Sequence, residues 1–201
     1  MWISALCIAG FILILSFIGK NTALLSLDQS INTYFKTDHV GWGYNLMYFI
    51  SLFASTIFVA LFTLAIGVSC YVHQKKKEFI SYCVTLFPSV LVGFLIKDFV
   101  QRIRPENLLE KDYSFPSLHA TASVVLYGWL AFYYWKLGKE KKAYLLLCVP
   151  LLIGFSRIYL GVHWFSDVLG GFLLGAGWLL FIHSFDNNKI SKLFSFRTVK
   201  R

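Results

Sequence analysis

The chain has 201 residues, of which 57% are hydrophobic and only 14% charged. An ordinary soluble domain of this length would carry about 25% charged residues, so composition excludes that class and points to a membrane protein. The formal charge of +9 falls mostly on residues just outside apolar runs, and the chain holds no nucleic-acid motif, so the charge reads as membrane orientation and not as nucleic-acid binding.

The first apolar run, Trp2 to Gly19, is uncharged and has no basic leader. It reads as a retained transmembrane helix rather than a signal peptide. The stretch that follows includes "LDQSINTYF" and fits a short helix in the interface, within residues 25–38. A second span is expected from about Tyr44 to Tyr71, longer than a bilayer needs and therefore tilted or protruding. It ends at the charged "KKKE" of Lys75 to Glu78. Further spans are expected at Phe79 to Ile96, Leu118 to Trp135, Ala143 to Leu160 and His163 to His183. The fold class expected is all-α, one integral-membrane domain over residues 1–201 with six transmembrane helices. Pro88 and Pro150 fall inside spans, where membrane helices tolerate proline. Gly171 and Gly175, four apart, would let two helices approach closely. The four cysteines have no metal-binding spacing and read as small core residues.

Lysine and arginine counts orient the chain. Twelve lie in the second and fourth loops and the C-terminal tail, against seven on the other side. Both termini should then be cytoplasmic, in a multi-pass protein of the cell membrane. The ends of helices three to six that carry the polar motifs should face outward.

Three polar clusters lie at those ends. They are Lys97 with Arg104 in "KDFVQRIRP", Ser117 with His119 in "PSLH", and Arg157, His163 and Asp167 in "SRIYLGVHWFSD". Ionisable groups at membrane depth are expensive, about 2.5–3.5 kcal/mol each on insertion scales, which makes several on one face informative. Singly, Lys97 fits a snorkelling lysine and Arg104 a solvated loop residue. Together with Arg157 they form a plausible phosphate cradle. Ser117, after Pro116, fits a helix N-cap, and a helix N-terminus also suits an anion. His119 would sit in that first turn. His163 and Asp167 are four apart, so the carboxylate could fix the imidazole tautomer and leave the other nitrogen as a nucleophile. A structural cap would use the same pair. A metal is a poor fit to two histidines and one carboxylate among three cations.

These residues resemble the tripartite signature of the type-2 phosphatidic acid phosphatase superfamily. Lys97 to Pro105 reads as KxxxxxxRP, Ser117 to His119 corresponds to PSGH, and Ser156 to Asp167 reads as SRxxxxxHxxxD. The resemblance implies a membrane lipid phosphatase that needs neither metal nor cofactor. It implies His163 as nucleophile through a phosphohistidine, Asp167 as its orienting partner and His119 as the general acid. Lys97, Arg104, Arg157, Ser117 and the backbone of Leu118 would hold the phosphate. The expected partner is a lipid phosphate in the bilayer, with no nucleic acid and no obligate protein partner. Phosphatidylglycerophosphate leads as substrate, with undecaprenyl pyrophosphate as the alternative and a non-catalytic phosphate-binding transporter as the reading from another class. Leu118 departs from the family pattern, which has glycine there, and raises the question of crowding beside the phosphate.

Overall fold

The structure is a computed structural model that describes residues 2–35, 41–105 and 112–185. The C-terminal basic tail, Lys36 and Lys111, all used in the charge count, lie outside the described residues. Among the described residues there are eight helices and no strand: α1 (Trp2–Phe17), α2 (Thr22–Phe35), α3 (Trp42–Leu52), α4 (Thr56–Val72), α5 (Lys76–Val100), α6 (Leu118–Lys136), α7 (Glu140–Tyr159) and α8 (Phe165–Ser184).

α6 is the centre of the bundle. It packs against α5, α7 and α8, while α1 lies on α8, α3 on α7 and α4 on α5. Its composition explains the position. Ala120, Ala122, Ser123, Gly128 and Ala131 are small and buried, so neighbouring helices come close without a lipid-facing side. The predicted glycine contact is present: a Cβ at Gly171 would stand 2.5 Å from the Ser117 carbonyl oxygen, and one at Gly175 2.8 Å from that of Thr121. Toward the opposite end of α6 the core is Tyr82, Leu86, Leu126, Trp129, Ile153 and Leu179. Large apolar side chains such as Leu61, Phe87, Leu95 and Leu151 point outward, as lipid-facing side chains do.

Length and composition among the described residues account for part of the six spans expected. Three helices, α5, α7 and α8, are long and apolar enough to cross a membrane by themselves, and five spans are reached if two bent helix pairs each count as one. α1 has 16 residues, about 24 Å at 1.5 Å per residue, short of a hydrocarbon core of about 30 Å. It passes only with α2, from which it is bent by 94°. That bend fits the interfacial segment expected within residues 25–38, whose last three residues lie outside the described part.

The second run is not one tilted helix but α3 and α4, bent by 40°. Ser55 caps α4 by accepting from the Phe58 N–H at 3.3 Å, and the Tyr127 hydroxyl donates to the Phe53 carbonyl at 3.0 Å. The break therefore has polar partners, which a helix interruption at membrane depth requires. α6 is less apolar than α5, α7 and α8, and it packs against all three. Of the cysteines, Cys70 is buried, but Cys148 is exposed on α7 rather than in the core.

Candidate active site

Each polar cluster sits at a helix end, and backbone hydrogen bonds tie the ends together. Gln101 closes α5 in a left-handed conformation at φ 51°, and its N–H donates to the Lys97 carbonyl. The chain then runs beside the 112–117 segment, where the Ser114 N–H donates to the Arg102 carbonyl at 2.8 Å. The Ser117 N–H donates to the Asp167 carbonyl at 3.1 Å, joining α6 to α8. All three motifs therefore converge.

His163 is buried in the short connection between α7 and α8. α8 does not include it: Asp167 Oδ2 accepts from the Trp164 N–H at 2.9 Å, which starts the helix one residue later, at Phe165. His163 Nδ1 lies 3.5 Å from Asp167 Oδ2, within ion-pair reach but longer than a good hydrogen bond. On the other side of the ring, Nε2 lies 3.0 Å from Arg104 Nη1, which can only donate. Nε2 therefore presents its lone pair, and the ring proton belongs on Nδ1, facing the carboxylate. Burial, and then the charges of Arg104, Arg157 and Lys97, push the His163 imidazole well below its ordinary range; Asp112 acts weakly in the opposite sense. These surroundings favour the neutral imidazole.

The three predicted cations are buried around this ring. Lys97, Arg104 and Arg157 are each 4% exposed. Arg104 is fixed by the Val162 carbonyl at 2.6 Å and the Asp112 carbonyl at 2.8 Å. Arg157 donates to Ser51 Oγ of α3 at 2.6 Å. The residue that sequence reasoning missed here is Asp112. Its carboxylate accepts from Lys97 Nζ at 2.8 Å and also from Arg104. Burial alone would raise this carboxyl, but Lys97 and Arg104 override it and hold Asp112 down to about 2.

Ser117 is the N-cap of α6, its Oγ accepting from the Ala120 N–H at 3.4 Å. Leu118 opens the helix, so its backbone needs no glycine. Its side chain has a place as well: a Cβ built on Gly93 of α5 would fall 2.8 Å from Leu118 Cδ2, so the leucine fills the space over that glycine. Leu118, His119, Lys97, Asp112 and His163 line the head of one cavity of about 630 Å³. Its remaining wall runs between α4 and α5 along Val59, Ala60, Leu86, Phe87 and Val90 and is largely apolar, with Thr56 and Thr63 its polar members.

A second set of residues escaped the sequence reading. Arg102 donates to Asp167 Oδ1 at 2.6 Å, to Ser166 Oγ at 2.7 Å and to Asp28 Oδ2 at 2.7 Å. Asp28 comes from α2 and is fully buried. A lone carboxylate in an amphipathic segment, "SLDQS", was the one available signal, and by itself it reads as solvent-facing.

A buried imidazole facing buried cations at the head of a largely apolar cavity can take an anionic group carried on an apolar molecule. The family model of the PAP2 superfamily matches residues 78–191, which contain all three motifs. The chain belongs to the PAP2 superfamily. It is similar to phosphatidylglycerophosphatase B of Bacillus subtilis, at 28% identity over 88% of this chain and 91% of that protein. It is also 32% identical to an undecaprenyl-diphosphatase of Sulfolobus acidocaldarius over 54% of this chain and 55% of the other. Its fold matches the crystal structure of a transmembrane PAP2-type phosphatidylglycerolphosphate phosphatase from Bacillus subtilis. That match has a TM-score of 0.85 at 25% identity and covers 98% of this chain and 100% of the other.

Proposed function

We propose that this phosphatase hydrolyses the phosphate of a membrane lipid, and that phosphatidylglycerophosphate is its substrate. The observation that carries the reading is the single cavity with Lys97, His119 and His163 at one end and an apolar wall between α4 and α5 at the other. A phosphate on an acyl-chain lipid has that polarity. The similarity to phosphatidylglycerophosphate phosphatases over nearly the whole chain supports the choice of headgroup. An undecaprenyl pyrophosphate substrate is the second reading, favoured by the similarity to an undecaprenyl-diphosphatase.

In the proposed reaction Nε2 of His163 attacks phosphorus, and the bond from phosphorus to the leaving oxygen breaks. His119 gives its proton to that oxygen. Asp167 stabilises the imidazolium through Nδ1–H. Lys97, Arg104 and Arg157, with Ser117 and the N–H of Leu118, hold the equatorial oxygens as charge shifts in the transition state. Arg104 already points at Nε2 and would turn this contact onto the phosphoryl group. Water then attacks phosphorus, His119 takes its proton, and the bond from phosphorus to Nε2 breaks, releasing phosphate and restoring both histidines.

The charge distribution supports cytoplasmic termini and a site at the outer face of the cell membrane, with α6 crossing inside a sheath of other helices. A cysteine placed at Gly138 in a cysteine-free background should react with an impermeant maleimide only after cells are opened. Reaction in intact cells would reverse the orientation.

The substrate test is phosphate release by purified protein from phosphatidylglycerophosphate, undecaprenyl pyrophosphate, phosphatidic acid and diacylglycerol pyrophosphate, each with EDTA present. Phosphatidylglycerophosphate should give the highest kcat/KM, and His163→Ala should abolish turnover. A preference for the pyrophosphate would favour the second reading. Loss of activity in EDTA that added metal restores would remove the metal-free mechanism.

A further inference from the structure

We infer that Asp28 is a positioning residue: from α2 it holds Arg102 and the first turn of α8, so that Asp167 keeps its negative charge and its aim on His163. The inference rests on His163 being the nucleophile. Asp28 is fully buried, and its carboxylate accepts three hydrogen bonds. They come from the Ser166 N–H at 2.9 Å, Ser166 Oγ at 2.6 Å and Arg102 Nη2 at 2.7 Å. The Ser166 N–H is one of the free donors in the first turn of α8, so Asp28 acts as a capping group supplied from 138 residues away. The neighbouring donor, the Trp164 N–H, is taken by Asp167 itself.

Charge accounting gives the role its chemical content. Arg102 lies between two buried carboxylates, Asp28 and Asp167, and bonds both. With both carboxylates ionised, one guanidinium between them leaves one net negative charge beside His163 Nδ1. Without Asp28 the same guanidinium would neutralise Asp167 alone. The imidazolium that forms when His163 attacks phosphorus would then lose its counter-charge. Ser166 Oγ completes the bridge, accepting from Arg102 while donating to Asp28. Trp164 covers Arg102, its ring centroid 5.5 Å from the guanidinium carbon. A plain structural anchor would account for the burial of Asp28, but not for the sharing of one arginine and one serine with the residue that faces the nucleophile.

The test compares wild type, Asp28→Asn and His163→Ala in phosphate release from phosphatidylglycerophosphate, with kcat, KM and the pH profile measured for protein shown to be folded. Asp28→Asn should lower kcat about 10- to 100-fold, the scale for a misaimed catalytic group. KM should stay within about twofold, because the cations that hold phosphate are untouched. The acid limb of kcat/KM should move to lower pH, since less counter-charge reaches His163, while Arg104, Arg157, Lys97, Asp112 and His119 around it are unchanged. A merely structural role would lower the yield and Tm and leave that limb in place. If Asp28→Asn does not fold, Ser166→Ala carries the test, because it keeps the backbone donor and removes only the bridging hydroxyl. A smaller fall in kcat is expected there with the acid limb in place, because both carboxylates and Arg102 keep their charge. An unchanged kcat and acid limb in the folded variant, with His163→Ala inactive, would overturn the role of Asp28. An active His163→Ala would instead overturn the nucleophile on which it rests.

Discussion

Leu118 at the start of α6 lies over Gly93 of α5, close enough that a methyl group added at Gly93 would stand 2.8 Å from Leu118 Cδ2. Leu118 lines the cavity head together with Lys97. Gly93→Ala would push the flexible leucine tip toward that head. Over-packing costs about 1–3 kcal/mol, while replacing a mid-helix glycine with alanine returns about 1 kcal/mol. Stability should therefore change little, and the effect should appear as a raised KM with kcat nearly unchanged. Adding Leu118→Ala to Gly93→Ala should restore KM. A kinetic assay of the two variants checks this, and no recovery in the double variant would mean that Leu118 does not narrow the cavity.

Gly171 is a contrasting case. There the atom 2.5 Å from an added Cβ is the Ser117 carbonyl oxygen, part of the backbone that carries the N-cap of α6. Backbone cannot swing aside as a leucine tip can. Gly171→Ala should destabilise by about 2–3 kcal/mol and lower activity by displacing α6 from α8. Thermal unfolding in detergent, followed by circular dichroism, would measure it. A Tm equal to that of wild type would show that the contact can relax.

Asp112 holds Lys97 and Arg104 with a carboxylate, which resembles in charge and shape part of a phosphate. Because it stays ionised down to about pH 2, it competes for those cations throughout the assay range. Asp112→Asn should strengthen inhibition by orthovanadate, whose trigonal-bipyramidal adduct on histidine mimics the transition state. Asp112 is 55% exposed, so screening limits the gain to about three- to tenfold in the inhibition constant. Weaker inhibition would mean that Asp112 organises the two cations rather than competing for them.

The depressed imidazole of His163 has two consequences for pH. As a nucleophile it must be neutral, so the acid limb of kcat/KM should lie well below the unperturbed histidine value of about 6.5. For stability the sign is set by proton binding: below about pH 6.5 the unfolded chain takes up a proton that the folded site refuses. This contribution to stability is intact above pH 6.5 and is lost as pH falls toward the folded value. His163→Asn should flatten that acid loss in thermal unfolding, and an unchanged pH slope would exclude His163 as its source.

The signature was legible because its members are close in sequence or carry fixed spacings. Lys97 with Arg104, Ser117 with His119, and Arg157 with His163 and Asp167 are recognisable without a fold. Seven residues of spacing put Lys97 and Arg104 at one helix end, and four put His163 and Asp167 within reach. The wider network was not legible. Arg102 and Asp28 are separated by 74 residues, and Ser166 and Asp28 by 138. Each alone resembles an ordinary polar residue at an interface, and only packing reveals that Asp28 and Ser166 are buried and that Arg102 is largely covered.

By itself the sequence determined that the chain is helical and membrane-embedded, because sustained apolar runs have no other stable solution in lipid. It also singled out the cations and histidines that the fold brings together, because such groups are costly at membrane depth. Only the tertiary structure decided how the second apolar run breaks, since the break depends on the Tyr127 hydroxyl reaching the Phe53 carbonyl from another helix. It alone decided that Leu118 is accommodated by Gly93, that Asp112 occupies the cations, and that Asp28 supports Asp167. Those outcomes depend on which helix ends meet, and that is set by the small residues of α6 and α8 packing face to face rather than by any local pattern.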